Sequence, residues 1–192
     1  IDAKAKTRFK KNGGQFLSHA SDVAARADIV IVSVATSKAL EQVTQAIVDG
    51  QHTRKAKTPP IVIETSTLTM ADKNLFAKTL KSASIAALDC PISGTAVRIQ
   101  DRAWTIFASG PQAAYKKALP VLEVFTDNVP YVGIFGNGTK LKFSANHLVA
   151  IYNVAYAESV ALARKMGLDP QEVLKLFGNS PVLGTGDRKS VV

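Results

Sequence analysis

The run Ile29-Val-Ile-Val-Ser-Val34 constrains this chain more than any other stretch. It is β-branched and unbroken by charge, so it reads as a strand buried on both faces of a parallel sheet. Parallel neighbours need crossover helices, and the following sequence offers them in turn. Ser37 caps a helix through Val48, and Gln51 to Pro60 reads as a basic loop. Ile61-Val-Ile63 is the next strand, leaving through Glu64-Thr65-Ser66-Thr67. A helix from about Met70 to Ser82 returns the chain to a strand near Ile85 to Leu88. Trp104 to Ala108 reads as a further strand, Pro111 as the N1 residue of a helix to about Phe125, and Val129 to Ile134 as a last strand. Upstream, Ile1 to Asn12 reads as a helix closed by Gly13-Gly14, Gln15 to Leu17 as a short strand, and Ser21-Asp22 as the cap of a small helix to Ala27. This alternation predicts an α/β fold with a mostly parallel sheet.

From Thr139 to Met166 the pattern changes. Leu141, Ala145, Leu148, Tyr152, Ala155, Ser159, Leu162 and Met166 keep a helical four-three spacing. This helix is more than twice the usual length of about 11–12 residues. It is apolar around most of its circumference, so it reads as buried between two bodies. Gly167 ends it, and Asp169-Pro170 caps another helix to about Phe177. The expected boundary lies near Phe135, with an α/β domain over 1–135 and the start of an all-helical domain over 136–192. The tail from Gly184 has little to pack.

Hydrophobic residues make up 46% and charged residues 20%, ordinary for a soluble globular protein. Apolar runs are too short to span a bilayer, and Ile1 to Lys11 does not read as a signal peptide. Cys90 is the lone cysteine, which fits a reducing, cytoplasmic setting. The net charge of +9 is high. It suits an anionic small molecule or nucleic acid, but the basic residues are not interleaved with aromatics and no nucleic-acid motif is present. No histidine or cysteine spacing suggests a metal site.

The glycine-flanked start of the long helix, Gly136-Asn-Gly-Thr-Lys-Leu-Lys142-Phe-Ser-Ala-Asn146, carries the sharpest chemistry. Lys142 and Asn146 leave the same helix face one turn apart. A lysine and a carboxamide so placed can grip and protonate a carbonyl oxygen. From the residues alone, a lysine snorkelling from a buried helix is an equal reading. His147 faces elsewhere, and Cys90 reads as a small buried residue.

This helix start resembles the catalytic helix of the β-hydroxyacid dehydrogenases, the family of 3-hydroxyisobutyrate and 6-phosphogluconate dehydrogenases. Asp89-Cys-Pro91-Ile-Ser93-Gly94-Thr95 resembles the family's Asp-x-Pro-x-Ser-Gly-Gly loop. By that match Ser93, Gly94 and Thr95 hold the substrate's carboxylate. Glu64-Thr65-Ser66-Thr67 is similar to Asp-x-Ser-Thr, which places Thr67 beside the nicotinamide. Val34-Ala35-Thr36 looks like the loop over the cofactor's adenosine-side ribose and phosphates. The four matches stand in the family's order over most of the chain.

The resemblance implies a Rossmann-type domain, NAD or NADP as cofactor, and hydride exchange with a small 3-hydroxy acid or semialdehyde. It implies Lys142 as general acid/base with Asn146 orienting the lysine or the hydroxyl, and pairing into a homo-oligomer through the long helix. The family's Gly-x-Gly-x-x-Gly has no match here, so the chain is expected to start after that first unit and to end early in the helical domain. Thr95 stands at the family's second glycine, and Arg98 and Arg102 stand at usual glycine positions, either as solvated loop residues or toward an extra acidic group. Ala145 replaces the histidine expected of a 6-phosphogluconate dehydrogenase. A non-catalytic binding or scaffold relative is the rival expectation.

Overall fold

A computed structural model describes residues 3–94 and 100–180. The elements run α1 (Ala3–Lys11), α2 (Ala20–Ala24), β1 (Ile29–Val32), α3 (Ser37–Thr53), β2 (Ile61–Glu64), α4 (Met70–Ser82), β3 (Ala86–Asp89), β4 (Ile92–Ser93), β5 (Thr105–Ile106), α5 (Gln112–Leu122), α6 (Asn137–Lys165) and α7 (Pro170–Asn179). Strands β1, β2 and β3 form a parallel sheet in that order. Their ends are level, with Val32 opposite Glu64 and Glu64 opposite Asp89. β4 and β5 form an antiparallel ribbon beyond β3, with Ser93 opposite Thr105. The expected α/β architecture is therefore present.

Successive residues of a strand face opposite sides, and the two cores follow from that. Val30, Val32, Val62 and Ala87 pack with Leu40, Ile47, Phe76 and Leu80 of α3 and α4. Ile63 and Leu88 face the other way, onto Ala114, Ala118 and Leu122 of α5. Fully burying side chains of the size of Phe76 or Leu80 contributes about 1.5–3 kcal/mol each.

β1 departs from the expectation of two buried faces, since Ile31 is 40% exposed. The cause is placement: α5 packs against β3, two strands away, and leaves that side of β1 uncovered. Gln15–Leu17 forms no strand. Val129–Ile134 contributes only isolated bridges, through Tyr131 to Ala108, with Asn128 to Thr105 just before it. α2 starts after His19, with Ser21 inside it, and carries no side-chain cap. Pro111 is the N-cap of α5 and not its first residue.

α3 continues to Thr53, past the expected end at Val48. Gly50 lets this last stretch lie against α2, because a Cβ there would stand 2.2 Å from the Ser21 carbonyl oxygen. Arg54 then ties the end of α3 to the segment before β1. Its guanidinium donates to the carbonyls of Ala24 and Ala27 at 3.1 and 2.7 Å and pairs with Asp28.

α6 is as long as the spacing predicts but is not enclosed. Its buried residues are Gly138, Thr139 and Ala163. Leu141, Leu148, Val149, Tyr152 and Leu162 are exposed. The helix touches β3 and β4 near its start and α7 further along. At the α7 contact, Tyr156 donates to the Leu174 carbonyl and meets the Phe177 ring edge-on.

Candidate active site

The three parallel strands deliver their loops to one sheet edge. Binding sites of open α/β sheets form at such carboxyl ends. The first two loops are stitched together. The Val34 amide donates to Ser66 Oγ at 2.8 Å, and the Thr65 amide and hydroxyl both donate to the Val32 carbonyl. Val34 is half-buried, while Ala35, Thr36 and Thr67 are exposed on this edge. Thr36 also caps α3, its Oγ1 accepting from the Ala39 amide at 3.2 Å. Ser37 and Thr69 donate hydroxyl protons to the Asp72 carboxylate and hold it below the usual carboxylate range. The same contacts join the starts of α3 and α4.

The third loop carries Ser93 and Gly94. Ser93 is half-buried in the β4–β5 ribbon. Gly94 has φ +148°, and a Cβ there would stand 2.3 Å from Trp104 Cδ1. Only glycine accommodates both the backbone angle and the indole. Thr95, the third expected carboxylate contact, and Arg98 lie outside the described residues. Arg102 does not point toward a ligand. It donates to the Glu123 and Val124 carbonyls at the end of α5 and pairs with Asp127, which makes it a cap.

Lys142 lies on the first turns of α6, half-buried, and burial lowers its pKa. Because α6 touches both β3 and β4, its first turns stand beside the strand that carries Ser93. Asn146 is exposed one turn further on, and His147 is exposed too. Cys90 is fully buried, its thiol pushed up to about 12 chiefly by burial, so it is no nucleophile at neutral pH. Thr36 and Thr67 serve the β1 and β2 side of the edge, whereas Ser93 and Lys142 serve the β3 side.

Beneath this edge lies a charged cluster that the sequence reading missed. Lys73, Glu64 and Asp89 each have 0% exposure. The Lys73 ammonium pairs with Glu64 and, at 3.0 Å, with Asp89 Oδ1. Glu64 Oε1 accepts the Ser66 amide at 2.8 Å. Asp89 reaches α6 as well. Its Oδ2 accepts the Thr139 amide at 2.8 Å, and its Oδ1 accepts the Thr139 hydroxyl at 2.7 Å. A signal for it existed: Lys73, Phe76 and Leu80 share the helical face that α4 turns to the core. Among the described residues no metal-binding group of side chains occurs, and no helix is long and apolar enough to cross a membrane.

A parallel sheet with loops gathered at its carboxyl edge defines an open α/β protein, and the family match makes its class that of the dinucleotide-binding domains. Residues 1–133 match the family described as the NAD binding domain of 6-phosphogluconate dehydrogenase, and the chain belongs to that family. It is 30% identical over 173 residues to human mitochondrial 3-hydroxyisobutyrate dehydrogenase, covering 90% of this chain and 51% of the relative. It is 28% identical to L-threonate dehydrogenase of Cupriavidus necator, covering 90% of this chain and 58% of the relative. Among solved structures, 3-hydroxyisobutyrate dehydrogenase from Salmonella typhimurium superposes with a TM-score of 0.77 at 26% identity, over 97% of this chain and 64% of that one. The chain thus spans about half the length of the human relative, and its similarity runs to hydroxyacid dehydrogenases.

Proposed function

We propose that this chain is part of an NAD(P)-dependent dehydrogenase or reductase acting on a small 3-hydroxy acid or the matching semialdehyde. The observation that carries the reading is Lys142, desolvated on the first turns of a helix that abuts the Ser93 strand. The names of the similar dehydrogenases support the substrate class. Exposed Ala35, Thr36 and Thr67 at the carboxyl edge fit the near side of a dinucleotide, with Val34 and Ser66 bracing the loop beneath. When bound, the nicotinamide takes or gives the hydride.

The chain's own residues do the rest. Ser93 and Gly94, with Thr95 following, offer main-chain N–H groups and hydroxyls to the substrate carboxylate. Lys142 handles the proton at the substrate oxygen: neutral, it accepts the alcohol proton, and as the ammonium it donates that proton to the carbonyl. A lysine at its ordinary pKa of about 10.4 is a poor base near neutrality. Burial disfavours the ammonium and moves the group in the useful direction. Asn146, on the same face, orients the lysine or the hydroxyl. The exposed apolar side of α6 supports a homo-oligomeric assembly, and the change of pattern near Phe135 supports separate domains over 1–135 and 136–192.

The test is a Lys142→Met variant of the full-length protein, assayed with 3-hydroxyisobutyrate and NAD or NADP. Loss of a general acid/base group lowers kcat by roughly 10²–10⁴-fold. Nicotinamide binding, followed by fluorescence, stays unchanged. Full turnover in Lys142→Met removes the proposed mechanism.

A further inference from the structure

The first four N–H groups of a helix have no partner within it. α6 solves this only in part from its own segment. Its N-cap is Gly136 at φ +94°, with no side-chain cap. The Asn137 amide donates to the Ile134 carbonyl, and the Lys140 amide to Gly136. The Lys140 bond is the first of the helix ladder, and the amides of Gly138 and Thr139 before it are served from the sheet side. Gly138 donates to Ser109 Oγ at 3.0 Å, and Thr139 donates to Asp89 Oδ2 at 2.8 Å. Ser109 Oγ in turn donates to the Asp89 carbonyl at 3.1 Å.

The seat is tight. A Cβ on Gly138 would stand 2.3 Å from the Phe107 carbonyl oxygen and 2.8 Å from that of Asp89. The charge also balances by position. One ammonium between two carboxylates leaves a net negative charge, and it faces the positive end of the α6 dipole. Because the body of α6 is largely exposed, its direction is set chiefly where its first turn is bolted down. Lys142 follows Thr139 by three and Gly138 by four, so it shares their side of the helix.

We propose that Asp89, braced by Lys73 and Glu64, is the positioning residue for Lys142: it anchors the first turn of α6 to β3 and so sets where the ammonium stands over the Ser93–Gly94 edge. This rests on the reading of Lys142 as the proton-transfer group. Lys73 acts one step back. Its ammonium stands 3.0 Å from Asp89 Oδ1 where water does not reach, and a charge-assisted bond holds an N–H donor about twice as strongly as a neutral acceptor does.

Three variants of the full-length protein test it. Asp89→Asn keeps the shape and removes the charge. Thr139→Val keeps the shape and the main-chain bond but removes the hydroxyl bond. Thr139→Ser keeps both bonds. Each is assayed with 3-hydroxyisobutyrate and NAD or NADP, whichever the wild type binds. The Lys142 side chain is also titrated by NMR on isotope-labelled lysine.

A misplacement on the order of 1 Å costs roughly a hundredfold in rate. Asp89→Asn is therefore expected to lose about that in kcat, with cofactor affinity little changed, and Thr139→Val about a tenth as much. Thr139→Ser restores the rate. Thr139→Val alters no charge, so a moved Lys142 titration in that variant reads position alone. Folded Asp89→Asn and Thr139→Val proteins with wild-type kcat and an unmoved Lys142 titration overturn the proposal and leave the cluster a purely stabilising element. If Asp89→Asn does not fold, the Thr139 pair decides. If the wild type turns over no hydroxy acid but the Lys142 titration still moves in Thr139→Val, the anchoring stands and the enzyme reading falls.

Discussion

Two lysines in this chain meet burial in opposite ways. Lys73 sits at 0% exposure beneath the sheet edge, with a carboxylate on either side. Lys142 sits half-buried above that edge, and among the described residues no ion pair holds it. Desolvation alone acts on it, and its pKa falls. A buried ammonium with partners is held in place by its ion pairs. A partly buried one without them becomes a group whose proton can leave. The contrast lies in which neighbours the fold brings, since the side chains are the same.

The sharpest way to break this contrast is to remove the partnered lysine. Lys73→Met leaves Glu64 and Asp89 buried without their cation, and such a loss typically costs about 3–5 kcal/mol. Urea or thermal unfolding should show that drop, whereas Lys142→Met should unfold almost as the wild type does. Equal stability losses in the two variants would erase the distinction.

A milder probe shifts the helix without touching either charge. Gly138→Ala puts a methyl group against the Phe107 carbonyl, and overpacking of this kind costs typically about 1–3 kcal/mol. Turnover should fall further than stability does, because the methyl lifts the turn that carries Lys142. Calorimetry beside kinetics separates the two.

The smallest effect is in the pH profile. A lysine with a lowered pKa in the folded state binds fewer protons there than in the unfolded chain. Stability therefore rises with pH between the lowered value and the ordinary lysine value, and below that window the group opposes folding slightly. Oxidation should speed up, and reduction slow down, as pH climbs through the same lowered value. A wild-type profile with both limbs flat below the ordinary lysine range would mean that Lys142 keeps its usual pKa.

Much of the fold was legible because it is local. The Ile29 and Ile61 strands, the helix from Met70 to Ser82 and the long helix follow from runs and spacings that need no distant partner. Misses came where distant parts decide. β4 is two residues long, too short for periodicity to mark, and the expected strand over Trp104 to Ala108 is present but shortened to Thr105–Ile106. Ile31 looked enclosed because its run is apolar, yet α5 covers β3 instead. Leu141 and Leu148 looked enclosed for the same reason and are exposed.

The site divided in the same way. Lys142, Ser93 and Gly94 were visible as motif residues at strand or helix ends. Glu64 and Asp89 were seen as strand ends, but their shared cation comes from α4, and Thr139 comes from α6. Arg102 looked like a loop residue and is a cap on α5, because the carbonyls it serves, of Glu123 and Val124, lie more than twenty residues further along the chain.

The chain has one tryptophan, and its indole lies over the α-carbon of Gly94. The protein therefore carries its own optical reporter at the proposed carboxylate loop. Emission from Trp104 reads the Ser93–Gly94 backbone without a label. Reduced nicotinamide absorbs in the range where tryptophan emits, so the same signal would register occupancy of the β1 and β2 side of the sheet edge.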